Sequence, residues 1–181
     1  MSILSRVSDY LVLRSMRTPY WHLGGYMLRY WLVPYRKDDK TGTTGLVSWT
    51  RRPIARLLQA LDIAVRIHVI LRSDNDRHPH SHPWNYVSVV LRGGYFEHTY
   101  DEQGKPINSK WYGPGSVLYR RASSLHRLWL PDGESATTLF ITGRWLQVWG
   151  FMTSDGLIKH SDYSAWRADR KDKPTNPTEY A

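Results

Sequence analysis

From residue 62 onward the chain consists of short apolar segments separated by turn residues, and this pattern limits the fold more than any other feature. The segments cover, in chain order, residues 63–71, 86–92, 94–100, 115–120, 125–130, 137–142 and 145–152. Strands at this spacing are typical of an antiparallel sandwich or barrel. Long helical patterns between the segments are missing, which argues against a parallel α/β sheet. The sequence therefore predicts a mainly β protein.

The N-terminal part of the chain has a different pattern. Apolar residues recur at helical spacing over residues 2–17 and again over 53–61, and a proline stands where each helix should end or begin. Between them, the aromatic and branched residues of 26–33 predict a strand. We expect residues 1–61 to pack on a barrel formed by 62–163. The polar residues 164–181 are predicted to form a mobile tail.

Two turns are predicted inside the barrel region. Gly93 and Gly94 lie between two apolar segments, as the turn of a hairpin would, and residues 101–106 have the composition of a second turn. The hairpin interpretation places Glu97 across from Ser88 on the neighbouring strand.

Composition excludes several classes of site. The chain has no cysteine, so disulfides, thiolate metal sites and cysteine nucleophiles are excluded, and any metal must bind to His, Asp or Glu. The N-terminus lacks the apolar stretch of a signal peptide, and no segment approaches the length of a membrane span. We therefore expect a cytoplasmic protein with no membrane partner.

The positive charge is concentrated at one end. The net charge is +9, and residues 1–70 hold 11 Lys and Arg against 4 Asp and Glu. A basic N-terminal third is typical of a solvated surface, and the alternative is that it attracts nucleic acid, anionic lipid or an acidic small molecule.

The segment from residue 77 to 84 carries the strongest chemical signal. His80 and His82 alternate there, and alternate residues of an extended strand point to the same side. Together they could form one face of a metal site, and His126 is the candidate third ligand. A surface histidine-rich loop without a native metal is the alternative.

The spacing of these residues resembles that of the cupin superfamily, whose members are small jelly-roll barrels. In the first cupin motif, His80 and His82 occupy the histidine pair, Tyr86 stands at the glutamate position and Gly93 is the closing glycine. The second motif runs from Gly115 to His126 with its intervals kept. The sequence is also similar to uncharacterised cupin-like proteins of bacteria and phages. The resemblance implies a cupin-type double-stranded β-helix with short N-terminal helices.

The missing glutamate leaves a neutral ligand set, His80, His82 and His126. This set resembles that of the cysteine dioxygenases, cupins in which three histidines hold ferrous iron. The resemblance implies a divalent transition metal, with Fe(II) favoured and zinc, manganese or nickel as alternatives. Glu97 is a candidate fourth ligand in place of the lost carboxylate.

Three further side chains are candidates for catalysis. Tyr86 and Ser88 share inward parity on one predicted strand and could orient a substrate at the metal. Arg120 is the candidate clamp for an anionic group, because guanidinium matches a carboxylate in two-point contact. The alternative for Tyr86 is that it only fills the space that a glutamate would occupy in the motif.

These observations favour a metal-dependent enzyme, a mononuclear non-haem Fe(II) oxygenase acting on a small organic molecule. The alternatives are a metal-assisted isomerase or hydrolase, a non-catalytic small-molecule-binding cupin, and a nucleic-acid-associated modification protein. A homodimer is also expected, with strand 26–33 extending the sheet of a second copy.

Overall fold

The computed structural model describes residues 3–33, 52–74 and 78–169. Three helices lie in these ranges: α1 (Ile3–Ser15), α2 (Arg52–Ala60) and α3 (Tyr163–Asp169). The eleven strands of the described residues follow in chain order: β1 (Pro19–Leu23), β2 (Met27–Val33), β3 (Ala64–Ile70), β4 (Tyr86–Arg92), β5 (Tyr95–Tyr100), β6 (Pro106–Tyr112), β7 (Val117–Arg120), β8 (Leu125–Trp129), β9 (Ala136–Thr142), β10 (Gly150–Thr153) and β11 (Gly156–Lys159).

The strands form two antiparallel sheets that face each other. One sheet has the order β1-β2-β3-β9-β4-β7, and the other contains β6-β5-β8, with the β10-β11 hairpin alongside. One buried cluster joins residues of both sheets, including Ile70 and Val90 from the first and Tyr95 from the second. The fold is therefore mainly β, as the sequence predicts, with antiparallel sheets packed around a shared core.

Alternation along β3 explains how the larger sheet is covered on both faces. Ile67 is fully buried and packs with Tyr30 and with Leu11 of α1. Ile70, on the opposite face, belongs to the cluster between the sheets. Because successive side chains of a strand point to opposite faces, one face of β3 contacts the helix and the other lines the barrel.

The connection from β4 to β5 is not a hairpin, which corrects the prediction made for Gly93 and Gly94. β4 pairs with β7 and β9, whereas β5 pairs with β6 and β8, so the chain crosses here from one sheet to the other. Gly93 has a φ of +62°, and a Cβ built on it would lie 1.9 Å from the carbonyl oxygen of Ser135. Only glycine fits this crossing without movement of the backbone.

Strand β2 is paired on both sides, by β1 and by β3. The expectation that it would extend the sheet of a second copy is therefore wrong, because its backbone groups are already used. The sheet ends instead at β1, a strand that the sequence pattern did not predict.

The other differences from the prediction have simple causes. The predicted strand 145–152 is observed only over Gly150–Thr153, and the apolar residues before it, Trp145, Leu146 and Val148, are exposed. β6 was missed because almost all of its residues are exposed and it has no apolar segment. Helix α3 occupies the start of the predicted tail, and residues 170–181 lie outside the described residues.

Within the described ranges, no helix combines the length and the apolar character needed to cross a membrane. Four of the eleven basic residues of the N-terminal third, Arg36, Lys37, Lys40 and Arg51, lie outside the described residues, and nothing in the described part tests the predicted nucleic-acid surface. That surface stays a prediction.

Candidate metal centre

His80 and His126 face each other across a short antiparallel pairing. The amide of His80 donates to the carbonyl of His126 over 3.0 Å, and the amide of His126 donates to the carbonyl of His80 over 3.1 Å. Residues that exchange both backbone hydrogen bonds lie directly opposite, with their side chains on the same face. The sequence does not show this pairing, which brings His126 of the second motif next to His80 of the first.

Alternation then adds His82 to the pair. His82 lies two residues beyond His80, and its Nε2 atom is 2.8 Å from Nε2 of His126. One ring nitrogen from each of His80, His82 and His126 lies within 4.8 Å of the other two. The structure therefore brings together the three histidines that the spacing singled out.

The remaining ring nitrogen of His126 is fixed by a carboxylate. Nδ1 of His126 lies 2.9 Å from Oε1 of Glu97, which is 2% exposed. A carboxylate can only accept, so Nδ1 carries the hydrogen and Nε2 keeps a free lone pair directed toward His82. Metal-bound histidines are commonly oriented by such a hydrogen bond.

This contact places Glu97, the candidate fourth ligand, behind His126 instead of among the converging ligand atoms. Its carboxylate touches the far side of His126, and it is absent from the group of convergent ligand atoms in the described residues. The pairing of β5 with β8 explains the position: Glu97 lies opposite Leu128, one diagonal step from His126. The carboxylate comes from the strand beside His126 and not from a hairpin with β4.

Arg120 is also placed differently from the prediction. Its guanidinium holds both oxygens of Glu97, with Nε 3.0 Å from Oε1 and Nη2 in close contact with Oε2. Nη2 also donates to the hydroxyl of Tyr112 over 3.2 Å. Arg120 is thus the partner of Glu97, and its two-point contact is already made within the protein.

These contacts determine the charge of Glu97. Burial by itself would raise the pKa of Glu97, but the hydrogen bonds and charges of His126 and Arg120 outweigh it and lower the pKa below its ordinary value. The carboxylate therefore stays ionised at neutral pH, and it keeps the hydrogen on Nδ1 of His126.

Burial keeps the other two imidazoles neutral. It lowers the pKa of His80 from 6.5 to about 4. The negative charge of Asp74 raises this pKa, but it offsets only part of the effect of burial. Burial also lowers the pKa of His82 well below 6.5, with the neighbouring histidines adding to the shift. Neutral imidazole is the form that binds a metal, so neither ring has to lose a proton first.

Asp74 lies behind His80, and sequence reasoning missed it. Its Oδ2 atom is 3.9 Å from Nδ1 of His80 and accepts the amide of Leu128 over 2.7 Å, while Oδ1 accepts the hydroxyl of Tyr26. The first cupin motif begins with a glycine six residues before its histidine pair, and Asp74 stands at that position. That departure from the motif was the available signal.

Tyr86 completes the described surroundings of the histidines. Its hydroxyl lies 3.4 Å from Nε2 of His126, and its ring packs edge-on against His82 with centroids 4.8 Å apart. Burial, followed by the charge of Glu97, raises the pKa of Tyr86 well above 10. The phenol therefore keeps its proton and can donate a hydrogen bond at the centre.

The other candidates lie further away. Ser88 is buried on β4 and forms a hydrogen bond with Tyr95. His78 is outside the convergent group, and its Nδ1 lies 2.9 Å from the hydroxyl of Tyr163. Trp84 stacks on His82 with ring centroids 5.7 Å apart and forms part of the wall.

The donor set fits a divalent transition metal. Two nitrogens at neighbouring positions of one ion lie about 3 Å apart, given metal–nitrogen bonds of about 2.1 Å, and the two Nε2 atoms are 2.8 Å apart. Three imidazoles suit iron, zinc, nickel and copper and add no charge of their own. Three ligands on one side leave further coordination positions for other molecules.

Comparison with known proteins gives likeness at the level of structure. No protein-family model matches the chain, and no curated protein matches it. Among solved structures, a cupin 2 conserved barrel domain protein from Rhodopseudomonas palustris is 11% identical, with a TM-score of 0.47 over 85% of this chain and 84% of that one. A structure described as FeII HppE is 15% identical, with a TM-score of 0.42 over 65% of this chain and 50% of that one.

The DMSP lyase DddQ from Ruegeria pomeroyi is a third similar structure. It is 15% identical, with a TM-score of 0.38 over 47% of this chain, and the chain matches 40% of its length. The strand order and the histidine cluster define a barrel of antiparallel sheets with a three-histidine group suited to a divalent metal ion.

Proposed function

We propose that the protein is a metal-dependent enzyme, a mononuclear non-haem Fe(II) oxygenase acting on a small organic molecule. The observation that carries the proposal is the convergence of His80, His82 and His126 at ligand-to-ligand distances that suit one ion. His80, His82 and His126 would hold ferrous iron through three neutral nitrogens, and the ion would supply the electron transfer that lets dioxygen react with an organic molecule.

The residues around the histidines have separable roles in this proposal. Glu97 keeps the hydrogen on Nδ1 of His126 and so keeps Nε2 available as a ligand. Arg120 holds Glu97 ionised and balances its charge. Tyr86 keeps its proton and can donate it in a hydrogen bond to an oxygen of the substrate.

The surroundings also limit access of water. Trp84 and Phe140 pack against each other beside His82, with centroids 6.1 Å apart, and Tyr86 packs on Phe140. Aromatic walls of this kind exclude bulk water, which strengthens every electrostatic interaction with a bound substrate.

Metal content of purified variants tests the proposal. The full chain, reconstituted with Fe(II) without oxygen and passed through a desalting column, should retain about one ion per chain. His82→Ala and His126→Ala should lose it. His78→Gln is the matched control, because His78 belongs to the same segment but contacts Tyr163, and this variant should retain the ion.

Two results would contradict the proposal. One is equal iron content in the wild type and His126→Ala, and the other is failure of nitric oxide, a stand-in for dioxygen, to give a nitrosyl spectrum with the iron-loaded protein. Any turnover that is found should also stop without oxygen. Turnover that persists would indicate a metal-assisted isomerase or hydrolase instead.

A further inference from the structure

Helix α2 turns an apolar side toward solvent. Ile54, Leu57 and Leu61 are 59%, 60% and 59% exposed, whereas Ala55 is buried. The amide of Leu61 donates to the carbonyl of Leu57 over 3.0 Å, so Leu61 continues the helical turn. Residues at this spacing lie on one side of a helix, and a surface helix ordinarily packs that side on the core. The α2 stripe, formed by Ile54, Leu57 and Leu61, instead lies open to solvent.

Helix α1 exposes further apolar residues near its C-terminal end. Leu11 and Val12 pack on the buried cluster that contains Ile67, and in this way α1 covers the larger sheet. Leu13 and Met16 lie outside this contact and are 67% and 54% exposed. α1 therefore contributes exposed apolar surface in addition to its contact with the core.

Both helices finish at the same end of the larger sheet. The carbonyl of Thr18, just after α1, accepts the amide of Trp31 over 2.8 Å. Trp31 lies opposite Arg66, near the start of β3. Helix α2 ends at Ala60, shortly before β3 begins at Ala64. The C-terminal ends of α1 and α2 therefore both reach the end of the sheet at which β2 finishes and β3 starts.

Positive charge accompanies these apolar residues. Arg17 and Arg56 are exposed, and the sequence of α2 contains no acidic residue. Asp9 of α1 is paired with Arg92 of β4, while Asp62 is exposed just beyond α2. Residues 1–70 together hold 11 Lys and Arg against 4 Asp and Glu. The charge of this part of the chain therefore favours an anionic partner.

The combination of aliphatic and basic side chains selects among the partners. A symmetric contact between two copies would place the same basic surface on both sides, and the like charges would repel. A nucleic acid would pair with the arginines through its phosphates, but it would offer little to the α2 stripe. An anionic bilayer suits both, because its acyl chains receive aliphatic side chains and its headgroups attract guanidinium groups.

We propose that α2, together with the C-terminal end of α1, docks the protein on the surface of an anionic lipid bilayer. Helix α2 lies along the interface, with the α2 stripe at the boundary of the acyl chains and Arg17 and Arg56 at the headgroups. This contact needs no membrane-spanning helix, and it differs from the expectation of no membrane partner. It is independent of the metal centre and of the proposed enzymatic function.

Sedimentation of the full chain with lipid vesicles tests the docking. One set of vesicles is phosphatidylcholine alone, and the other contains equal amounts of phosphatidylcholine and phosphatidylserine. A few exposed aliphatic residues bind a bilayer weakly unless charge assists them. We therefore expect binding to the anionic vesicles to be at least about tenfold tighter than to the neutral ones. Added salt should release the bound protein, because it screens the headgroup charge.

Matched variants separate the two contributions. Leu57→Gln should weaken binding to the anionic vesicles by about tenfold or more, since one leucine side chain no longer leaves water. Ile107→Gln is its control, because Ile107 is 67% exposed but lies on β6 of the other sheet. The double variant Arg17→Gln/Arg56→Gln should also weaken binding by about tenfold or more. Arg121→Gln, at an exposed arginine of the barrel, should bind like the wild type.

Each outcome decides the inference. It is overturned if neither kind of vesicle binds, if neutral and anionic vesicles bind equally well, or if Leu57→Gln binds as the wild type does. Light scattering that shows a dimer in the wild type and a monomer in Leu57→Gln would assign the α2 stripe to a second copy instead. Binding of an oligonucleotide without binding of vesicles would assign the basic surface to nucleic acid. If circular dichroism shows that Leu57→Gln is unfolded, Leu61→Gln decides in the same way.

Discussion

His126 and Glu97 form a hydrogen bond of 2.9 Å between Nδ1 and Oε1, and Arg120 holds the same carboxylate from its other side. This chain of contacts links an exposed-edge strand, β7, to a buried imidazole on β8. It fixes the tautomer of His126 without contributing a ligand to the histidine group.

Glu97→Gln should reduce metal affinity by about 10- to 100-fold while the protein stays folded. The amide oxygen can still accept from His126, but the charge that favours the tautomer is lost. Competition with a chelator measures the affinity. Glu102→Gln, in an exposed turn, is the control. Unchanged affinity in Glu97→Gln would show that Glu97 has no positioning role.

Tyr86→Phe should keep the metal and weaken binding of a small anion to it. The substitution leaves the packing on His82 and Phe140 in place and removes only the hydroxyl near Nε2 of His126. One lost hydrogen bond corresponds to roughly a 3- to 10-fold weaker binding of azide, followed by visible absorption of the Co(II)-loaded protein. Loss of the metal itself would instead identify the phenol oxygen as a ligand.

The metal-free protein should lose stability as the pH falls from 6.5 to about 4. Burial lowers the pKa of His80 to about 4 in the folded chain, so the unfolded chain binds more protons in that window. His80 alone accounts for about 3 kcal/mol of lost unfolding free energy by the end of it. Urea unfolding at several pH values measures the loss, and His80→Ala should flatten the curve. An equally steep curve in that variant would contradict the prediction.

Gly93→Ala should destabilise the protein by more than Gly133→Ala does. Both glycines have a positive φ, +62° and +77°, so both substitutions carry the same backbone cost of about 1 kcal/mol. Only at Gly93 does the added Cβ meet a backbone oxygen, whereas at Gly133 it meets nothing within 4 Å. Thermal unfolding compares the two variants. Equal losses would mean that the β4–β5 crossing moves easily.

The histidine group shows how much residue spacing can predict. His80 and His82 could be paired by alternation, and the interval from Gly115 singled out His126. The contact between His82 and His126, however, depends on the backbone pairing of His80 with His126, which no local pattern specifies. The register between two paired segments is set by tertiary packing, so neither segment alone determines it.

The errors have the same origin. The apolar pattern identified β4 and β5 as strands but not the sheets to which they belong, so it could not predict the contact between Glu97 and Arg120. β6 was missed because an exposed edge strand has no apolar pattern to detect. Arg66 and His68 alternate in a strand that is otherwise apolar, which was a signal of interior polar groups that the sequence reasoning left unused.

The sequence by itself determined the mainly β class, most strand positions and the three histidines, because alternation and motif intervals are local properties of a chain. Only the tertiary structure decided which residues meet across the barrel: Glu97 with His126, Arg120 with Glu97, and Arg66 with Trp84. These contacts join strands far apart in the chain. They depend on strand order and register, which the burial of all the strands together selects.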